Sequence, residues 1–157
     1  MFLKILADGL DDTDLRIIDL LNVDGRMTDT QIAKSVGLSK TSVRLRKMKL
    51  IQSGMIKILG IPILRKLNLI DSDVFIKFKL GTSQKIIEES VERLEKEEYV
   101  YEVNRYLNGY DLRLSVLHKD LASLKTYIQD LFKDFEYIEK YQIYPVIQTD
   151  KAFGVIL

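Results

Sequence analysis

The sequence of 157 residues contains no cysteine and no tryptophan, and its only histidine is His118. The absence of cysteine excludes disulfide bonds, thiolate zinc sites, iron–sulfur clusters and a thiol nucleophile. One imidazole cannot build a multi-histidine metal site, so we expect no metal and no cofactor. With two prolines and 46% hydrophobic residues, the composition is typical of a globular protein with a packed core.

Long apolar runs and a large excess of one charge are also missing. The apolar stretch at residues 1–7 is far shorter than the roughly 20 residues that a membrane-spanning helix needs, and Asp8 follows it. It also lacks the form of a secretory signal, so we expect a cytoplasmic protein without a membrane partner. The net charge is only +1, so any affinity for nucleic acid must come from a local patch.

Charged and aromatic residues divide the chain into two parts. Residues 1–61 carry ten Lys and Arg against seven Asp and Glu, whereas the remainder carries fourteen against sixteen. All eight tyrosines occur from Tyr99 onward. We therefore predict one domain at residues 1–61, a short linker at 62–71 and a second domain at 72–157.

The first part of the chain begins with the pattern of two capped helices. Apolar residues at helical spacing predict the first helix between Asp11 and Asp24. Thr28 and Gln31 then form a capping box, and Gly37 ends a short second helix.

A third helix and a basic segment follow. Ser39 is a good N-cap for a helix predicted at residues 39–53, and a strand is predicted at 55–61. A short helix, a turn with glycine and a longer capped helix form the helix-turn-helix arrangement, whose second helix enters the DNA major groove. Between Lys34 and Lys57 there are seven basic residues and no acidic one.

Each Lys or Arg that neutralises a phosphate releases counterions, so this basic segment predicts salt-dependent DNA binding. The predicted DNA contacts are Ser39, Lys40, Thr41, Ser42, Arg44, Arg46 and Lys49. The alternative is that the basic helix is only a solvated surface.

The second part alternates strands and helices. In order, the pattern predicts a strand at 73–80, a helix at 83–98, strands at 99–107 and 112–118, a helix at 121–132 and a strand at 137–147. Asn108 and Gly109 lie between the two middle strands and are a strong signal for a tight hairpin turn. The order βαββαβ is the ferredoxin-like plan.

Several short motifs occur together in the first part of the chain. They are Leu10-Asp11-Asp12-Thr13-Asp14-Leu15-Arg16-Ile17-Ile18, Asp24-Gly25-Arg26, Gln31-Ile32-Ala33, Val36-Gly37-Leu38-Ser39, the single residues Val43, Arg46 and Leu50, and Gly54-Met55-Ile56. Together they resemble the Lrp/AsnC, or feast/famine, family of transcription regulators. The resemblance implies an α+β protein in which an N-terminal winged helix-turn-helix domain precedes a ferredoxin-like βαββαβ domain.

That resemblance also implies a function and partners. The protein would be a sequence-specific transcriptional regulator whose partner is double-stranded DNA. Its second domain would form a homodimer and a higher assembly such as an octamer, and would bind an effector, usually an amino acid. The family's effector site includes the hairpin between the middle strands, which predicts Asn108, Gly109, Tyr110 and Asp111 as effector-binding residues. The family usually has a further acidic residue there, so a tight turn without a ligand is the alternative.

Lys47 is a second departure from the family pattern. The family commonly has a branched apolar residue at this position, which packs the third helix. We expect the stem of Lys47 to lie over the core, with Leu45, Met48 or Ile51 sharing the packing.

The predicted sheet has a face that needs a partner. Two helices on one face leave the other face bare, and Phe75, Leu117 and several tyrosines would lie on it. An exposed apolar patch of this kind predicts a sheet-to-sheet dimer.

Two other functions are possible from the residues alone. An RNA-binding protein could stack bases on the aromatic sheet face, although the RNP1 pattern is absent and this part of the chain is net acidic. A small enzyme could use His118 with Asp111 or Asp120 as an acid–base pair. The sequence has no P-loop, dinucleotide-binding fingerprint or nucleophile elbow, so we predict no enzyme and assign no catalytic residue.

Overall fold

The structure of the protein, a computed structural model, describes residues 9–152 and 155–156. The apolar segment at residues 1–7 lies outside the described residues. The chain divides into two compact units: one contains the described residues up to Ile61 and those from Asp150 onward, and the other is Pro62–Thr149. Within the part of the chain that is described, no helix is long and apolar enough to cross a membrane.

The N-terminal unit contains the three predicted helices, which the structure confirms together with their caps. They are α1 (Asp12–Val23), α2 (Asp29–Val36) and α3 (Lys40–Gln52). Thr28 and Gln31 form the expected capping box at the start of α2. Gly37 ends that helix with a φ of 72°, a left-handed conformation that glycine adopts without steric cost. Ser39 then caps α3, so only three residues separate the two helices.

One buried apolar cluster holds these helices together. Each helix contributes two members, which are Ile17, Leu21, Ile32, Ala33, Val43 and Leu50. Helices of 8 to 13 residues are too short to be stable alone in water. The stability of α1, α2 and α3 therefore depends on this shared core.

The strand predicted at residues 55–61 is wrong. This segment has no regular secondary structure and pairs with no strand of the described chain. Its first two backbone N–H groups, those of Met55 and Ile56, donate to the carbonyl of Leu50 at 3.0 and 3.3 Å and close the end of α3. Two short strands near the C terminus, which the sequence pattern does not predict, pair with each other and group with the N-terminal unit.

The second unit contains a four-stranded antiparallel sheet, and the structure confirms its predicted α+β class. Its elements are a 3-10 helix (Leu64–Leu67), β1 (Ile70–Phe78), α4 (Gln84–Leu94), β2 (Val100–Arg105), β3 (Leu112–His118), α5 (Leu121–Phe132) and β4 (Ile138–Val146); the short C-terminal strands are β5 (Lys151–Ala152) and β6 (Val155–Ile156). The strand order is β2-β3-β1-β4, and every pair is antiparallel. This is the order of the ferredoxin-like plan.

Both helices pack on the same face of the sheet. Alternate residues of the central strands, such as Val74, Ile76 and Leu114, are fully buried there. Leu94 of α4 and Ile128 of α5 are buried in the same cluster. The opposite face of the sheet receives no described element of this unit, as the pattern predicts.

Two element boundaries differ from the predictions for physical reasons. β1 begins at Ile70, inside the predicted linker, because Ile70 pairs with His118 at the end of β3. α4 ends at Leu94, its last buried apolar residue, because residues 95–98 are all charged and have nothing to bury.

A core truncation tests this layer arrangement. We expect Leu114→Ala to lower the free energy of unfolding by about 2–5 kcal/mol, because Leu114 is fully buried in the middle of the sheet. Leu80→Ala, in the same unit but fully exposed, is the control and should change it by less than about 0.5 kcal/mol. Urea unfolding followed by circular dichroism measures both, and equal effects would contradict the packing described.

Candidate nucleic-acid interface

The helix predicted to enter DNA, α3, is held by apolar contacts on one side only. Val43 and Leu50 are 0% and 2% exposed and point into the core of the N-terminal unit. Arg46 and Lys47 lie on the same side of the helix and are half-buried. The remaining side of α3 is exposed to solvent.

Arg46 is engaged within the domain. Its guanidinium Nη1 lies 2.7 Å from Asp14 Oδ1 and 2.6 Å from Asp11 Oδ2, so it ties α3 to the first turn of α1. These hydrogen bonds, with Asp14 first, raise the pKa of Arg46. The backbone N–H of Asp14 and, after it, the Arg46 guanidinium lower the pKa of Asp11. The two carboxylates offset the charge of this guanidinium, so the geometry favours a positioning role over a phosphate contact.

Lys47 is engaged in the same way. Its Nζ forms an ion pair with Asp29 in the first turn of α2, and both side chains are largely buried. The expectation that Leu45, Met48 or Ile51 would share packing over the core is wrong. Their exposed fractions are 63%, 41% and 43%. Neutralisation by Asp29, and not burial among apolar neighbours, allows a lysine at this position.

Three predicted contacts on α3 keep an exposed charge. Lys40, Arg44 and Lys49 are exposed and form no ion pair with any residue in the described ranges. Of the four cations that the sequence predicts to contact DNA, these three therefore remain available to bind phosphates.

The hydroxyl groups at the start of α3 have local partners. Ser39 Oγ accepts from the backbone N–H of Ser42 at 3.1 Å, and the two hydroxyl oxygens lie 2.9 Å apart. Thr41, between them in sequence, is exposed. Ser39 and Ser42 thus bond to each other at the N-terminal cap of α3, whereas the side chain of Thr41 is exposed.

The hairpin predicted to hold an effector is larger than a two-residue turn. The backbone N–H of Tyr106 donates to the carbonyl of Asp111 at 2.8 Å and closes the loop. Gly109 has a φ of 78°, but Asn108 is not left-handed as the predicted turn requires. The prediction of a tight Asn-Gly turn is therefore wrong.

The polar side chains of this hairpin already have partners. Asp111 accepts a hydrogen bond from Lys77 Nζ at 3.0 Å and from the backbone N–H of Phe78 at 2.7 Å. The Tyr110 hydroxyl donates to Gln142. These contacts fasten the hairpin to β1 and β4.

Aromatic rings gather on the sheet face that has no helices. Phe75 is at the centre, with the ring centroids of Tyr106, Tyr110 and Tyr144 at 5.5 to 5.9 Å. Tyr106 and Tyr144 are 43% and 50% exposed.

A charged network borders these rings. Arg113 forms ion pairs with Asp73, at 3.3 Å, and with Glu102. Nearby, burial raises the pKa of Asp71. Two carboxylates around one guanidinium make this face unsuited to a polyanion such as RNA.

His118 occupies a packing position. Its ring packs against those of Tyr99 and Tyr127, with centroid distances of 4.9 and 5.1 Å, and the two tyrosine rings also contact each other at 5.3 Å. Burial lowers the pKa of His118. The two carboxylates considered as its catalytic partners have other contacts: Asp111 binds Lys77, and Asp120 caps α5. Among the residues that the structure describes, no group of three His, Asp or Glu side chains could hold a metal ion.

Comparison with known proteins gives a consistent result. Residues 10–51 match the model of the AsnC-type helix-turn-helix domain. An uncharacterised HTH-type transcriptional regulator of Pyrococcus horikoshii is 31% identical over 130 residues, which cover 83% of this chain and 82% of that protein. The proline dehydrogenase transcriptional activator of Rhizobium radiobacter is 30% identical over 153 residues, covering 95% and 96%.

A solved structure matches the fold over most of the chain. It is the transcriptional regulator of Neisseria meningitidis in complex with L-Met, with a TM-score of 0.81 over 91% of this chain and 93% of that one, at 19% identity.

The Arg46 ion pairs generate a test of stability. We expect Arg46→Met to lower the melting temperature by about 2–4 °C, because two carboxylates lose their partner. Arg44→Met removes an exposed cation of the same helix that has no ion pair within the described residues, and it should leave the melting temperature unchanged. Thermal unfolding at neutral pH checks both variants.

Unfolding at lower pH gives the outcome that would contradict the Arg46 ion pairs. The pKa of Asp11 is lowered in the folded state. Its carboxylate therefore adds to the free energy of unfolding at pH values above its unfolded pKa of about 3.9, and this stabilisation is lost as the pH falls through the folded pKa. The difference between wild type and Arg46→Met should therefore shrink below about pH 3. A difference that stays constant with pH would contradict the ion pair.

Proposed function

The chain belongs to the Lrp/AsnC family of transcriptional regulators, and we propose that it binds duplex DNA by inserting the outer side of α3 into the major groove. The observation that carries this proposal is the distribution of charge on α3. Lys40, Arg44 and Lys49 are exposed and unpaired within the described residues, whereas the two inward cations are neutralised. A near-neutral protein thereby gains a local cationic surface that can bind phosphates and release their counterions.

Each predicted DNA contact receives a role in this proposal. Lys40, Arg44 and Lys49 bind phosphates, and Thr41 approaches the base edges. Ser39 and Ser42 form the cap that fixes the first turn of α3. The two hydroxyls at this helix start also leave room for a phosphate near the backbone N–H groups.

Arg46 acts as a positioning residue in this proposal. By tying α3 to Asp11 and Asp14 it sets how far the recognition helix projects from the unit. Its removal would weaken DNA binding because the helix is misplaced, and not because a phosphate goes unbound.

A second copy of the chain is the proposed partner of the bare sheet face. The cluster around Phe75 is apolar at its centre and charged at its border, as specific interfaces are. A two-fold dimer would present two copies of α3 to a pseudo-palindromic site with half-sites about 34–36 Å apart, or a multiple of that distance. Further association of such dimers into an octamer belongs to the same proposal.

An amino acid is the proposed class of effector. The Neisseria regulator was crystallised with L-Met, which supports this class. The effector would act by binding one assembly more tightly than another and so shifting their populations. The role of residues 108–111 in holding it stays a prediction, since Asp111 and Tyr110 already bind neighbours within the sheet.

We propose no catalytic role for this chain. His118 packs against two tyrosine rings, and its candidate partner Asp111 binds Lys77. A regulator of this family acts beside the chromosome, which supports the cytoplasmic location expected for a prokaryotic protein.

Salt-dependent DNA binding tests the proposed interface. We expect Arg44→Ala and Lys49→Ala each to weaken binding and to reduce the slope of log affinity against log salt by about 0.9 for each phosphate that is no longer neutralised. Lys125→Ala removes an exposed lysine of α5 in the other unit and is the control. Fluorescence anisotropy at several salt concentrations gives the slopes, and slopes equal to that of Lys125→Ala would refute the assignment.

Oligomeric state tests the proposed dimer face. We expect Phe75→Glu to produce a smaller species than wild type, because a carboxylate at the centre of the aromatic cluster would be buried without a partner. Leu121→Glu, on an exposed position of α5, is the control. Light scattering after size exclusion measures the masses, with circular dichroism to verify folding; a folded Phe75→Glu variant of wild-type mass would rule out this face.

A further inference from the structure

The outermost side chains of α3 form a stripe of uncharged residues. An α-helix turns by about 100° per residue, so Val43 and Leu50 fix the inward direction. Four residues point most directly away from them: Thr41, Leu45, Met48 and Gln52. We call these four the outer stripe. All of them are exposed, with Leu45 at 63% and Met48 at 41%.

The composition of the outer stripe is unusual for a solvated surface. Two large apolar side chains occupy its centre, and neither contributes to the core of the unit. Arg44 lies on one side of the stripe and Lys49 on the other. From Lys40 to Lys57 the chain has no acidic residue. The surface is thus an apolar ridge between two cations.

This arrangement complements the major groove of DNA. The cations on both sides of the ridge match the phosphates that border the groove, and the ridge itself reaches the base edges. In the major groove the 5-methyl group of thymine is the one apolar feature of the base edges. A glutamine can also donate to and accept from the adenine that pairs with thymine.

A second copy of the chain fits this ridge less well. A two-fold contact between two α3 helices would bring Arg44 and Lys49 of one copy close to those of the other. Such a contact would place like charges together without a nearby carboxylate, which is unfavourable.

We propose that Leu45 and Met48 are specificity-determining residues that contact thymine methyl groups, with Gln52 directed toward adenine. This inference rests on the proposed function, because it requires α3 to lie in the major groove. It assigns the recognised chemistry: A·T base pairs read through their methyl groups at the centre of each half-site.

The test uses the intact protein and DNA selected from a random duplex library. The selected duplex is then resynthesised with deoxyuridine in place of each thymidine, one position at a time, which removes only the methyl group. We expect at least one position in each half-site at which wild type loses about fourfold in affinity per contacted methyl. Leu45→Ala and Met48→Ala should each abolish the effect of deoxyuridine at the positions whose methyl group the replaced side chain contacts.

Matched controls separate the stripe from general effects. Val23→Ala removes an exposed apolar side chain at the end of α1, in the same unit, and should keep the full sensitivity to deoxyuridine. Light scattering should give the wild-type mass for the Leu45 and Met48 variants. A changed mass would overturn the inference in favour of a protein contact at the stripe.

The remaining outcomes distinguish this inference from the proposed function. If wild type selects a duplex but binds the thymidine and deoxyuridine forms equally, the inference fails and the regulator assignment stands. Full sensitivity retained in both Leu45→Ala and Met48→Ala would also refute it. Selection of no duplex by the intact protein would refute the proposed function itself.

Discussion

Arg46 connects the third helix to the first, and this connection, together with the apolar core, determines which side chains of α3 face outward. Apolar packing at Val43 and Leu50 fixes the depth of the helix and its inward side. The ion pairs of Arg46 with α1 and of Lys47 with α2 lie on the two flanks of that apolar contact. Together the two ion pairs restrict rotation of α3 about its axis in both directions. The residues on the opposite side of the helix therefore face outward.

This use of charge explains how a protein with a net charge of +1 can present a cationic surface. The two helices that α3 packs against carry acidic residues. Those of α1 and its N-cap are Asp11, Asp12, Asp14 and Asp19, and α2 carries Asp29. Two inward cations use three of these acidic groups, and the outward cations pair with none in the described chain. Separation of charge between the two sides of α3, and not the total charge, determines the local field.

Local signals in the sequence were sufficient to predict most elements. Side-chain caps such as Thr28 and Ser39 act within one helical turn, and α5 was predicted at the residues where it occurs because its cap and apolar spacing agree. The α+β class followed from the same local periodicities. Errors arose where a partner distant in sequence decides the outcome.

Residues 55–61 show one such error. They have the composition of a strand, but strand formation requires a neighbour to complete the hydrogen bonds, and the segment has none among the described residues. The Asn108–Gly109 loop shows another, because contacts of Asp111 with Lys77 and Phe78 set its geometry in place of the preferred turn type.

The candidate site was predictable at the level of the helix but not of individual side chains. Seven basic residues without an acidic one predict a cationic surface at α3, but they carry no information on which cations point inward. Arg46 and Asp14 are 32 positions apart, and only the packing of α1 on α3 brings them together. The apolar side chains of the outer stripe were assigned to the core for the same reason: hydrophobicity alone does not report direction.

The sheet face without helices shows how charged groups can restrict the way in which an apolar surface pairs with a copy of itself. A purely aromatic face could pair with a copy of itself in many relative positions, since ring contacts depend weakly on register. The network of Arg113, Asp73 and Glu102 beside the rings carries charges that are costly to bury without matched partners. In a two-fold dimer, a shift of one sheet over the other would bring aromatic rings of one copy over this network. The proposed dimer would therefore have its geometry restricted by the charged border, while the rings around Phe75 supply the attraction.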